Sequence, residues 1–114
     1  MATSKGIPTQ VRRQAEEIID RFNHEALGDG EVRYVGRFHG RYLYLDRKDF
    51  AEGKPAAICR LEFTGELTNW GFAIYRYSGD CYDPDEWMFP GCDDIDGTIG
   101  GALRGGLAAY PPGW

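Results

Sequence analysis

The sequence has no apolar run near the roughly 20 residues that a helix needs to cross a bilayer. Its N-terminal stretch, MATSKGIPTQ, lacks the apolar core of a secretory signal. Its three cysteines form no C-x-x-C pair, which argues against a zinc site and against a disulfide framework. We therefore expect a cytoplasmic protein with free thiols, no cofactor and no membrane partner, although a bridge between Cys81 and Cys92 stays open.

The side chains of common catalytic motifs are scarce. The chain has two histidines, His24 and His39, and two serines, Ser4 and Ser78, and neither serine lies in a G-x-S-x-G turn. The glycine-rich stretch DGTIGGALRGG lacks the lysine of a phosphate-binding loop, and the acids before it would repel phosphate. The sequence therefore predicts no catalytic residue.

Basic side chains are absent between Tyr77 and Leu103, although this stretch holds seven of the eighteen acids. An EF-hand is excluded because the chain has Cys92 and Leu103 where the end ligands should be. An irregular cation site stays open, and it would support a small carboxylate-dependent enzyme that uses the acidic loop at residues 80–96. Its candidate ligands are Asp83, Asp85, Asp93 and Asp94. We favour the simpler interpretation that Asp93, Asp94 or Asp96 caps a helix and that the other acids are hydrated.

Apolar side chains recur at helical spacing over residues 9–27, and again from Asp96 to the proline pair at 111–112. Four strand-like runs lie between them, at residues 31–38, 41–47, 56–63 and 69–77, and turn residues group these runs into two antiparallel hairpins. A chain of 114 residues with 42% hydrophobic side chains can form one core. The sequence predicts a single α+β domain over residues 1–114. In it a four-stranded antiparallel sheet carries an N-terminal and a C-terminal helix on one face.

The C-terminal helix is rich in glycine, and each glycine inside a helix costs about 1 kcal/mol relative to alanine. Gly106 lies on the apolar stripe of this helix, so we expect the helix to approach the sheet closely there. Gly105 is expected on the solvent side.

Strand alternation divides the side chains of each hairpin into two sets. The register that we predict places Phe38 opposite Arg41 and Phe63 opposite Trp70. One set is then strongly apolar and should form the core. The other set mixes tyrosine with arginine and also contains Ile58.

Tyrosine and arginine are enriched where proteins bind partners. The candidate partner-binding residues are Arg33, Arg37, Tyr42, Tyr44, Arg60, Tyr75 and Tyr77. They predict a non-catalytic interaction module that binds a protein partner or a second copy of itself. Single-stranded nucleic acid is a further alternative, because the same side chains stack on bases and neutralise phosphates. Cross-strand pairing within the sheet would also explain these residues, so both interpretations stay open.

The stretch FAIYRYSGDCYDPDEWMFPG, followed by DGTIGGALRGGLAAYP, resembles a set of small bacterial proteins of unassigned function. These proteins share a Y-D-P-D-E-W-x-F-P-G segment before a C-terminal helix, and the similarity covers Phe72 to Pro111. The resemblance brings no activity or catalytic residue. It implies that one unit is formed by Asp83, Pro84, Asp85, Glu86, Trp87, Phe89, Pro90 and Gly91. The glycine-rich helix departs from the pattern, which has more charged residues there.

Overall fold

The structure is a computed structural model that describes residues 6–50 and 53–113. Helix α1 (Thr9–Glu25) precedes four strands, β1 (Arg33–His39), β2 (Tyr42–Lys48), β3 (Ala56–Phe63) and β4 (Trp70–Arg76). A short strand β5 (Cys81–Asp83), a turn of 3-10 helix (Cys92–Asp94) and helix α2 (Ile99–Ala109) follow. None of the helices in the described residues is long and apolar enough to cross a membrane.

The sheet has five strands in the order β1-β2-β3-β4-β5, and each strand is antiparallel to its neighbours. The α+β class, with two helices and an antiparallel sheet, is confirmed. The prediction of four strands is wrong, because β5 pairs with β4 and places Tyr82 opposite Tyr75. Strand β5 is three residues long and contains no apolar alternation, so its own sequence does not mark it as a strand.

The first hairpin pairs Phe38 with Leu43, so its register differs by two residues from the prediction. The turn consists of Gly40 and Arg41, and Gly40 has a positive φ of 60° that glycine adopts without strain. A shift of two residues keeps every side chain on its predicted face, since side chains alternate with a period of two. In the second hairpin, Phe63 lies opposite Trp70 as predicted.

A β-bulge interrupts the pairing of β2 with β3, because Leu45 pairs with Cys59 whereas Asp46 pairs with Ala57. The prediction that the intervening Ile58 lies on the outer face is wrong. Its side chain is fully buried against α2, on the face that both helices cover. A bulge adds one residue to a strand, so a simple alternation cannot be carried through it.

Helix α2 approaches the sheet closely at Gly106, as predicted. A Cβ at this position would lie 2.5 Å from Tyr34 Oη and 2.6 Å from Ile58 Cγ2. The Tyr34 hydroxyl donates a hydrogen bond to the Leu103 carbonyl at 2.8 Å, which fixes the helix at this distance from β1. The absence of a side chain at Gly106 is therefore what allows this contact.

The opposite side of α2 is covered by residues 91–96, so the prediction that Gly105 faces solvent is wrong. Gly105 is buried, and a Cβ there would lie 2.6 Å from Ile95 Cδ1 and 3.0 Å from the Gly91 carbonyl oxygen. Helix α2 is thus enclosed between the sheet and this segment.

The N-terminus of α2 is capped by Thr98, whose Oγ1 accepts a hydrogen bond from Gly101 N at 3.0 Å. The prediction that Asp93, Asp94 or Asp96 is the cap is wrong. Asp96 accepts hydrogen bonds from the hydroxyl and the N–H of Thr98, at 2.6 and 3.0 Å, and these bonds lower the pKa of Asp96. The aspartate therefore orients the capping threonine.

A buried arginine, Arg47 of β2, connects the sheet to the end of α2. Its guanidinium donates hydrogen bonds to Asp49 Oδ1 at 2.7 Å, to the Gly106 carbonyl at 3.4 Å and to the Tyr110 carbonyl. A cation near helix C-terminal carbonyls is also favoured by the helix dipole. Burial is the largest influence and disfavours the charged form of Arg47, but the hydrogen bond to Asp49, the charge of Asp49 and the interactions with Tyr34 together keep the pKa of Arg47 above its ordinary value.

We expect Gly106→Ala to lower the free energy of unfolding by about 1–3 kcal/mol, because the added methyl group overpacks the contact with Tyr34 and Ile58. Gly100→Ala is the matched control, since its Cβ would meet only the Nη1 end of the long Arg104 side chain, at an ordinary contact distance of 3.4 Å. The control should be neutral or should stabilise by up to about 1 kcal/mol. Urea denaturation of both variants measures the difference, and an equal effect of the two changes would contradict the packing described here.

We expect Arg47→Met to lower the free energy of unfolding by about 3 kcal/mol, because it leaves Asp49 and two helix carbonyls without their partner. Arg33→Met is the control, since Arg33 is exposed and forms no ion pair within the described residues. It should change stability by less than about 0.5 kcal/mol. Thermal and urea denaturation test this, and similar losses in both variants would show that Arg47 does not connect β2 to α2.

Candidate protein-interaction surface

The face of the sheet that the helices leave uncovered carries a continuous group of rings and guanidinium groups. We call it the Tyr/Arg surface. It consists of Arg37, Tyr42, Tyr44, Arg60, Tyr75, Tyr77 and Tyr82. Alternation along β1 to β4 brings six of the seven predicted residues together here, and Arg33 is the exception.

Two arginines stack on tyrosine rings of this surface. The Arg37 guanidinium lies 4.6 Å from the centroid of the Tyr44 ring, and the Arg60 guanidinium lies 4.5 Å from that of Tyr42. Arg60 also lies 5.3 Å from the Tyr82 ring centroid. Such contacts hold the planar guanidinium in one orientation and leave its edge available for hydrogen bonds.

Tyr82 is the member of the surface that sequence reasoning missed. Its ring forms edge-on contacts with Tyr44 and Tyr75, with centroid distances of 5.4 and 4.9 Å. It therefore connects the rings of β2 with those of β4. No pattern in the sequence marks Tyr82 as part of the surface. It joins the surface because β5 pairs with β4, which places Tyr82 opposite Tyr75.

The two stacked arginines differ in their electrostatic partners. Arg37 Nε donates to Asp46 Oδ2 at 3.1 Å, and this hydrogen bond raises the pKa of Arg37. Asp46 was not predicted; its second carboxylate oxygen is buried and has no hydrogen-bond partner within the described residues. Arg60, in contrast, forms no ion pair in the described part of the chain. Arg60 is therefore a fixed positive charge with unused donors.

The β4 end of the surface is held by tyrosine hydroxyls. Tyr77 donates to the Ala57 carbonyl at 2.7 Å, and Tyr110 donates to the Tyr75 carbonyl at 2.5 Å. The hydroxyl of Tyr75 donates to the Asp80 carboxylate, and this bond raises the pKa of Tyr75 to about 12. Burial raises the pKa of Tyr82. These phenols stay neutral near pH 7, so they act as polar, uncharged rings.

A groove of about 110 Å³ lies beside Arg60 on the same face. It is lined by Arg60, Glu62, Gly71, Phe72, Ala73 and Pro84. The Glu62 carboxylate is paired with Arg41 at 3.2 Å. Clefts that enclose small-molecule ligands measure roughly 300–1,000 Å³, so this groove fits about one side chain and not a cofactor.

Arg33 lies apart, beside a cleft of about 410 Å³ between α1 and β1 that Glu16, Asp20 and Asn23 also line. Asn23 hydrogen-bonds both backbone groups of Tyr34, through Oδ1 at 2.8 Å and Nδ2 at 3.0 Å. The Asn23 side chain thus takes both hydrogen bonds that a further strand would form with Tyr34 at this edge of the sheet. The β1 edge is blocked there, whereas the outer sheet face is open.

The acidic residues between 80 and 96 are engaged mainly in local contacts. Asp83 accepts a hydrogen bond from Arg76 Nη1 at 2.9 Å, which lowers the pKa of Asp83, and another from Asp85 N at 2.9 Å. Asp94 lies 3.8 Å from Arg104 Nε. Residues 6–50 and 53–113 contain no group of three or more His, Cys, Asp or Glu side chains that could hold a metal ion. The candidate ligands Asp83, Asp85, Asp93 and Asp94 are not brought together as a cation site.

The remaining reactive side chains are dispersed. Cys59, Cys81 and Cys92 are free thiols, as predicted, and burial raises the pKa of Cys59. His24 pairs with Asp29 at 2.5 Å at the end of α1, and this hydrogen bond raises the pKa of His24. His39 ends β1, next to the hairpin turn.

Comparison of the chain with protein-family models, with curated proteins and with solved structures finds no match. The resemblance to small bacterial proteins with the Y-D-P-D-E-W-x-F-P-G segment therefore stays a prediction.

We expect Asp80→Asn to bring the pKa of Tyr75 from about 12 back toward 10, the ordinary value for tyrosine. Asp80 has a positive φ of 53°, which asparagine tolerates well, so the backbone should be preserved. An NMR titration of tyrosine labelled with carbon-13 at Cζ measures the change. An unaltered Tyr75 pKa would mean that the hydroxyl does not donate to Asp80.

Proposed function

We propose that the protein is a non-catalytic interaction module whose Tyr/Arg surface binds an acidic segment of a protein partner. The observation that carries the proposal is the Arg60 guanidinium. It is stacked on Tyr42 and Tyr82 and has no carboxylate partner within the described residues. A carboxylate of the partner would complete its hydrogen bonds.

Preorganisation favours Arg60 as the centre of binding. A free arginine loses side-chain entropy when it binds, whereas Arg60 is already restrained by two rings. Arg37 is a weaker candidate, because Asp46 neutralises most of its charge at 3.1 Å. We therefore assign the carboxylate contact to Arg60 and assign to Arg37 the orientation of the Tyr44 ring.

The rings around Arg60 support the same function. Tyrosine buries a large area at little entropic cost and is among the residues enriched in binding hot spots. Tyr42 and Tyr44 are half-buried, and Tyr77 is 43% exposed, so ring area remains for a partner. Asn23 obstructs strand addition beside Tyr34 at the β1 edge, which favours the outer face over that edge for docking.

The test uses fluorescence anisotropy with a labelled peptide of alternating glutamate and leucine and with a labelled oligothymidine of similar charge. We expect the peptide to bind more tightly, and Arg60→Met to weaken its binding by about tenfold or more. Arg60→Lys, which keeps the charge but loses the planar stack, should give an intermediate loss. Arg33→Met is the matched control and should have a smaller effect than Arg60→Met.

Two results would contradict the proposal. One is a peptide affinity that Arg60→Met leaves unchanged in a variant that melts like the parent protein. The other is tighter binding of the oligothymidine with a steep loss between low and physiological salt, which would assign the surface to single-stranded nucleic acid.

A further inference from the structure

The segment after β5 presents the most exposed apolar side chain of the described residues. Met88 is 90% exposed, and the neighbouring Trp87 is 46% exposed. We call residues 85–88 the Trp87–Met88 tip. Large apolar side chains that stay exposed together mark interaction sites, whereas scattered ones need no explanation.

The tip is held in a defined shape. Asp83 Oδ1 accepts a hydrogen bond from Asp85 N, and Glu86 Oε1 accepts one from Met88 N, both at 2.9 Å. The Trp87 ring lies 5.9 Å from the ring of Phe72, which anchors the base of the tip to β4. Met88 is therefore presented on a fixed turn, and its docking would require little ordering of the chain.

The charge of the tip complements the Tyr/Arg surface. Asp85 is exposed, and its carboxylate makes no hydrogen bond or ion pair within the described part of the chain. No basic residue lies between Tyr77 and Leu103. Arg60 has the opposite charge and also lacks an ionic partner among the described residues.

The shape of the groove beside Arg60 complements Met88. The groove has space for about one side chain, and the small residues Gly71 and Ala73 line it. Methionine is unbranched and flexible, so it fits an irregular groove of this size and contacts aromatic edges favourably.

The two complementary parts do not meet within one molecule. Phe72, on which Trp87 packs, and Pro84, which precedes the tip, both border the groove, but Met88 is 90% exposed and so does not occupy it. Because hydrogen bonds to Asp83 and Glu86 hold the tip in this turn, we assign the groove that Met88 fills to a second molecule.

We infer that the chain associates with itself, with the Trp87–Met88 tip of one copy docked in the Arg60 groove of another. Met88 occupies the groove, and Asp85 meets the Arg60 guanidinium. The inference rests on the proposed function, because it uses the same surface, and self-association would compete with an acidic partner. The contact is heterologous, so each copy keeps one free tip and one free groove.

The test is sedimentation velocity of the full chain up to about 1 mM, a concentration at which a weak contact is populated. We expect concentration-dependent association that weakens as salt is raised. Met88→Ser and Gly71→Ala should each reduce association by about tenfold or more. Gly71→Ala suits this purpose because its Cβ would lie at an ordinary 3.5 Å from Glu62 Cβ, so the fold should tolerate it.

The matched control is Phe50→Ser, which removes another exposed ring, 62% exposed, outside the tip and the groove. It should leave association unchanged. Met88→Ser keeps a working groove, and Gly71→Ala keeps a working tip. An equimolar mixture of these two variants should therefore form a one-to-one complex although neither variant associates alone.

Three results would overturn the inference. They are a wild-type chain that stays monomeric over the whole concentration range, an equal loss in Phe50→Ser, and a mixture that associates no better than its components. Binding of the acidic peptide tests the proposed function independently of self-association. The Met88→Ser variant should bind the peptide as tightly as wild type, because the substitution leaves the Tyr/Arg surface intact. If it does so without self-association, only the second-copy docking is refuted.

Discussion

The close approach of α2 to the sheet at Gly106 is the contact on which the rest of the fold depends. At this one residue the helix backbone lies against Tyr34 and Ile58, and its carbonyl accepts a hydrogen bond from the buried Arg47. A buried cation is costly unless it is paired, and Asp49 together with the helix carbonyls provides that pairing. The glycine and the arginine are therefore interdependent: a longer side chain at 106 would displace the carbonyl that Arg47 needs.

Placing both helices on one face leaves the other face of the sheet to be stabilised by its own side chains. The tyrosines there pack edge to face, and the arginines stack on them, which are the cross-strand contacts that strengthen a sheet. Structural and binding roles do not exclude each other at this surface. The ring contacts that stabilise β2, β3 and β5 are also the contacts that hold Arg60 in a fixed orientation without neutralising its charge.

Sequence periodicity predicted the parts of the fold that depend on repeated patterns. Both helices and the four long strands were predicted, and the predicted faces of the first hairpin were right although its register was shifted by two, because the side-chain period is also two. Features that depend on one residue, such as a bulge or a helix cap, were not predicted correctly. The bulge that buries Ile58 adds one residue without any composition signal, and Thr98 caps α2 where nearby aspartates were equally good candidates. Tyr82 and Asp46 joined the candidate site through pairing and bulge geometry, which a single sequence does not encode locally.

The glycines of α2 also determine where the acidic segment lies. Residues 91–96 pack on the outer side of the helix because Gly105 has no side chain to keep Ile95 and the Gly91 carbonyl away. Gly91 itself has a positive φ of 94°, so the chain can turn at the helix surface and direct Phe89 onto Phe72. The Trp87–Met88 tip extends from this anchored turn. Its exposure is thus a consequence of how tightly α2 is enclosed. A substitution that loosens the helix should alter the presentation of the tip, since α2 contacts the 3-10 turn at Cys92–Asp94 as well as the sheet.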